Sequence, residues 1–66
     1  MNIIETYDTV ILMDGMTVLN LVSKQGNFIF EYDFSLNSYV RIETSDMRAY
    51  IEGKMNEREE ETNNNL

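Results

Sequence analysis

Glu31 and Asp33 are the residues of this chain whose type and spacing could do chemistry. On an extended strand they share one face, with Cα atoms roughly 6.5–7 Å apart. Carboxyl pairs at such separations act as acid and base in glycoside hydrolysis. That chemistry also needs a pocket that excludes water, and a chain of 66 residues has little volume to build one. A solvated strand face accounts for the pair more simply. A third use is recognition: Glu31, Asp33 and Glu43, flanked by Asp8 and Asp14, would offer carboxylates to a basic groove that ordinarily holds DNA phosphates.

Most other chemistries lack their residues. The chain has no cysteine and no histidine, which removes disulfides, thiolate and imidazole ligands and the commonest general base. Gly15, Gly26 and Gly53 are isolated, so no glycine-rich phosphate loop exists, and the acids do not follow the spacing of a calcium loop. Ser23-Lys24 reads as a turn and not as a nucleophile beside its base. The expectation is a protein without enzymatic activity, with no catalytic residue, cofactor or metal.

Charge points to the partner. The net charge is −7, and residues 1–52 hold eight acids against three bases. Most of the excess therefore belongs to the expected folded part. Direct nucleic-acid binding is disfavoured, because phosphate neutralisation supplies most of that affinity. A basic protein surface is the natural complement.

The element that positions Glu31 and Asp33 is the stretch Phe28-Ile29-Phe30-Glu31-Tyr32-Asp33-Phe34. Every second residue is aromatic, which a strand gathers on one face and a helix would scatter. Before it, residues 1–6 read as a lead-in, and residues 7–13 as a first strand rich in β-branched and large apolar types. Asp14-Gly15 is a two-residue hairpin signal that sets Met13 against Met16 and Val10 against Leu19. A four-residue turn, Lys24-Gln25-Gly26-Asn27, then sets Ser23 against Phe28 and Leu21 against Phe30. Residues 39–43 alternate as a fourth strand, with Tyr32 against Val40 and Arg41 beside Glu31. Ser45 reads as a helix N-cap with Asp46 in the first turn. Met47, Tyr50, Ile51 and Met55 form one apolar stripe beyond it.

The fold class is thus α+β: a small antiparallel meander of three to four strands, packed against one C-terminal helix laid across the ring face. Residues 1–60 form a single domain. The helix is expected to end near Glu60, with residues 61–66 a disordered acidic tail. One helix covers one face, so the other would stay bare with Ile11, Met13, Met16, Val18 and Val22 and Ile29 beside them. An uncovered apolar patch marks an interface, and Met13 and Met16 are of a type that adapts to irregular partners or to a dimer seam.

Glu5-Thr6-Tyr7-Asp8, followed by an apolar run to Met13 and an acidic-Gly turn, resembles the first hairpin of the small phage-encoded inhibitors of uracil-DNA glycosylase. Glu31-Tyr32 looks like that family's second-strand signature, and Ser45-Asp46-Met47 is similar to the start of its helix. The match covers about a third of the chain. The family consists of tiny acidic dimers that block the DNA-binding cleft of a host repair enzyme. The resemblance implies that Met47 stands where the family inserts an apolar residue into the enzyme, although an aromatic is expected there. The chain departs from the family in its extra strand residues before Glu31-Tyr32 and in an acidic tail where the family has a closing strand.

The leading functional expectation is a phage- or mobile-element-type protein, an anti-defence factor or DNA mimic, that inhibits a host nucleic-acid-acting protein. A repair glycosylase, a defence nuclease and a transcription factor are the target classes. The alternative is a homo-oligomeric structural or regulatory module, most simply a homodimer through its bare apolar face. A small-ligand binder is third, for want of a convergent polar pocket. No basic segment precedes a long apolar run and no run is long enough to span a bilayer, so a cytoplasmic location without membrane contact is expected.

Overall fold

Five strands follow one another as a meander, each paired antiparallel with the next: β1 (Asn2–Glu5), β2 (Thr9–Asp14), β3 (Thr17–Gln25), β4 (Phe28–Asp33) and β5 (Ser38–Ile42). The helix α1 (Met47–Asn64) closes the chain. This architecture is α+β and comes from a computed structural model that describes the backbone of residues 1–64 and the side chains of residues 1–61.

The extra strand is β1. Asn2–Glu5 pairs with β2 through Ile3↔Leu12 and Ile4↔Ile11, so residues 1–6 are more than a lead-in. Its turn is held by the Thr6 amide, which donates to the Thr9 carbonyl at 2.8 Å, with no glycine at the corner. Both later tight turns use glycine. Gly15 at φ 59° and Gly26 at φ 63° each take the first central position of a two-residue loop, between Asp14↔Thr17 and Gln25↔Phe28. Glycine first with positive φ is the pattern of a type II′ turn, whose twist suits a hairpin. The turn residues are therefore Gly15-Met16, one position later than the expected Asp14-Gly15, and Gly26-Asn27, two residues in place of the expected four.

One residue decides which side of the sheet is covered. Leu12 pairs with Asn20 and Met13 with Val18, so Leu19 is an additional residue in β3, a β-bulge. A one-residue slip exchanges the faces of a strand. Past the bulge Val22 joins Val10 and Leu12, while Leu21 joins Ile11 on the opposite side. Across β4 the same alternation sets Ile29 and Glu31 on the Val22 side and Phe28, Phe30 and Tyr32 on the Leu21 side.

The helix takes the Val10 side. Val10, Leu12, Val22, Ile29 and Ile51 form the buried cluster, with Ile3, Leu19, Ile42, Met47, Tyr50 and Met55 packed around it. Each such aliphatic side chain contributes roughly 1.5–3 kcal/mol of burial, which is a thin core for the ordering cost of the chain. The helix therefore does not lie across the ring face. It lies on the aliphatic and carboxylate face of β1–β3, where its contacts concentrate.

The helix start is capped by Asp46, not Ser45. The Asp46 carboxylate accepts from the Ala49 amide at 3.1 Å and its carbonyl from the Tyr50 amide at 3.1 Å, the N-cap arrangement. The stripe of Met47, Tyr50, Ile51 and Met55 does face the sheet. Helical backbone continues to Asn64, beyond the expected end near Glu60, and the remainder of the expected 61–66 tail lies outside the described residues. No helix among the described residues is long and apolar enough to cross a membrane.

Candidate protein-docking face

The side of the sheet turned away from the helix carries an apolar band that reaches all five strands, with Asn2, Thr9, Ser23 and Gln25 as its uncharged polar members. Ile4, Ile11 and Leu21 are cross-strand neighbours, as are Met13 and Val18. Phe28, Phe30 and Tyr32 continue that surface, and Tyr39 lies directly opposite Tyr32. The rings are organised: Tyr32 meets Phe34 edge-on at 5.0 Å between centroids and Tyr39 at 5.1 Å, separations at which aromatic pairs attract beyond simple burial. Tyr32 also donates its hydroxyl to Asn37 Oδ1 at 2.8 Å. Asn37 itself sits at φ 55° in the loop between β4 and β5. Phe28 (47%), Tyr39 (46%) and Phe34 (54%) keep about half of their surface in water.

A single formal charge stands among these strand residues. Arg41 is opposite Phe30 and lies 4.0 Å over the Phe28 ring, a cation–π contact. Its guanidinium reaches Glu43 at 3.6 Å. The expected pairing of Arg41 with Glu31 does not occur, because β5 is shifted by one residue: Glu31 meets Val40 and Tyr32 meets Tyr39.

Of the expected interface residues, Ile11, Met13 and Val18 share this open face. Met16 stands in the turn, almost fully exposed at its tip. Ile29 belongs to the buried cluster on the other side, because the bulge reversed the face of everything after it. Leu21, Phe28, Phe30 and Tyr32, which patterning assigned to the core side, complete the patch, and the one-residue shift of β5 sets Tyr39 beside them. Their alternation was readable, but the bulge that turned it outward was not.

The expected acidic face does not assemble. Glu31 points to the helix side, where Oε1 accepts from the Tyr50 hydroxyl at 2.6 Å and Oε2 from Asn20 Nδ2 at 3.1 Å. Asn20 in turn accepts from Arg58 Nε at 3.0 Å, and Arg58 also donates to the Leu19 carbonyl at 3.3 Å. Bulges leave backbone groups out of the ladder, and this arginine serves the one at Leu19. Partial burial, and then the bond to Glu31, raise the Tyr50 pKa well above that of an ordinary phenol.

Asp33 is spent on the loop it begins. One oxygen accepts from the Ser35 hydroxyl at 2.6 Å and from the amides of Ser35 and Leu36 at 2.9 and 3.0 Å. These donors, the Ser35 hydroxyl first, hold its pKa below the usual aspartate value. Asp8 lies in the turn before β2 and accepts from the Thr9 hydroxyl at 3.2 Å. Asp14 ends β2, and Glu43 flanks Arg41 beyond β5. Glu31 and Asp33 thus act as structural acceptors, and the other three stand at separate corners.

A depression of about 440 Å³ lies where the helix start meets the first turn, lined by Glu5, Tyr7, Lys24, Asp46 and Arg48 among others. It is open, and its arginine is engaged: Arg48 bridges Glu5 at 3.1 Å and Glu52 at 2.7 Å. No protein-family profile, curated protein or solved structure matches this chain.

Proposed function

We propose that this chain is a non-enzymatic, phage-type inhibitor that binds a basic, nucleic-acid-acting host protein and fills its phosphate-binding cleft. One observation carries the reading: the bases of the helix are each engaged by a neighbour, while its C-terminal acids are exposed. Arg48 bridges Glu5 of β1 and Glu52, Lys54 lies 5.2 Å over the Tyr50 ring and 3.7 Å from Glu57, and Arg58 binds Asn20 and the Leu19 carbonyl. Glu57, Glu59, Glu60 and Glu61 are exposed. Of these, Glu57, Glu60 and Glu61 fall at i, i+3 and i+4, on one side of the helix. The carboxylate surface offered to a basic groove is therefore the helix, in place of the strand residues Asp8, Asp14, Glu31, Asp33 and Glu43.

The partial resemblance to inhibitors of uracil-DNA glycosylase supports a repair enzyme as the first target class to test, followed by defence nucleases and transcription factors. Met47 packs against the buried cluster, so recognition in this reading rests on charge and not on an inserted apolar side chain. The test is binding of the purified chain to a panel of such enzymes from about 50 mM to about 500 mM salt, a range over which screening becomes nearly complete. Affinity should fall steeply with salt, duplex DNA should compete, and the E57Q/E60Q/E61Q variant should bind weakly. Association that ignores ionic strength and survives these three substitutions would sink the reading.

A further inference from the structure

We infer that the open aromatic face is closed by a second copy of this chain, sheet against sheet, leaving both helices on the outside. This uses the side of the molecule opposite the carboxylate helix and stands independently of the target reading.

Charge distribution selects the occupant. The chain carries twelve acids, yet no carboxylate projects from the five strands on the open face. Glu5, Glu31 and Asp33 lie in register with helix-side residues. A net charge of −7 ordinarily opposes self-association. Here the strand acids sit on the far side of each sheet, and packed sheets are about 10 Å apart, already beyond the ~8 Å screening length at physiological salt. Arg41 is matched by its own Glu43, so the face approaches its twin nearly neutral. A basic partner would find only Glu43 there, already beside Arg41, and a nucleic acid would meet one arginine in a strongly acidic molecule. Another copy presents the same uncharged rings, which is the self-complementary condition of a two-fold interface.

Size and need agree. Five strands spaced ~4.8 Å and about six residues long give a flat footprint of about 500 Å² before the relief of the rings is counted. That is the same order as the ~800 Å² each partner buries in a standard interface. The protomer alone has one packed layer and five buried side chains, whereas small domains need further support. A second sheet supplies the missing layer, with the Tyr32, Phe34 and Tyr39 cluster already arranged before contact.

The test is sedimentation equilibrium of the full chain from low micromolar to millimolar concentration, together with Y39E and F28K, the second placing a lysine beside Arg41. Both positions are half exposed in the protomer, so a charge there is tolerated by the fold, as circular dichroism would confirm. The wild type should dimerise with a micromolar or tighter dissociation constant, unweakened by salt. Each variant should raise that constant about 100-fold, since a buried unpaired charge at an interface is costly. E60Q, on the helix, should leave it unchanged. A folded wild-type monomer at millimolar concentration overturns the inference, as does a dimer that both variants leave intact. Failure here would leave the salt-dependent binding of the helix untouched, and failure of that binding would leave the dimer standing.

Discussion

Tyr50 donates its hydroxyl to Glu31 at 2.6 Å and so joins the helix to a strand that the helix body barely contacts. A hydrogen bond to a charged acceptor contributes about 1.5–3 kcal/mol when well enclosed. Both partners here are partly exposed, which lowers the expectation for Tyr50→Phe to about 1 kcal/mol. Urea unfolding should show an earlier midpoint with an unchanged slope.

The same pair sets an alkaline limit. The folded Tyr50 pKa is raised above its model-compound value of 10.0, so its contribution is complete below pH about 10 and is lost as pH climbs towards the folded value. Stability followed by chemical denaturation should be flatter above pH 10 in Tyr50→Phe than in the wild type. Parallel curves for the two would refute the linkage.

Asp33 works at the opposite end of the scale. Its folded pKa is depressed below 3.8, so its stabilisation is present above the usual carboxylate range and disappears as pH falls through the lower folded value. Protection of the Ser35 and Leu36 amides, taken relative to the unstructured exchange rate at each pH, should fall on acidification, and Asp33→Asn should show little protection there already at neutral pH. If those two amides exchange alike in both proteins at pH 7, the carboxylate does not hold the loop.

Two glycines should answer alanine with opposite signs. Gly15 has open space around it but φ 59°, so Gly15→Ala should cost about 1 kcal/mol of backbone strain. Gly53 is helical with equally open space, and Gly53→Ala should add up to about 1 kcal/mol. Melting temperatures of the two variants should move in opposite directions from the wild type.

Element type was readable in the sequence wherever alternation ran unbroken, as from Phe28 to Phe34 or along the stripe from Met47 to Met55. Side was not. The pattern Val-Leu-Asn-Leu-Val at 18–22 fits a plain strand in either phase, and nothing in the types of Leu19 and Asn20 announces that both turn towards the helix. The information lay thirty-eight residues away, in Arg58 binding Asn20 and the Leu19 carbonyl. That single displaced phase explains why the rings and Ile29 exchanged places. The first strand escaped notice for a different reason: the corner at Thr6-Tyr7-Asp8 carries no glycine or proline. The acidic site failed at Glu31 and Asp33 because patterning reports which groups are charged, and not which neighbours have already claimed them.

The helix rests on β1, β2 and β3 and stops short of the last hairpin. In a lone protomer β4 and β5 are therefore a lightly covered flap, held by ladder bonds, edge-on rings, the phenol that reaches Glu31, and Ile29 and Ile42 at the margin of the core cluster. Segments with so little overlying mass open before the whole molecule does. The flap also carries most of the aromatic surface, so whatever seals that surface also pins the part of the fold most ready to peel away.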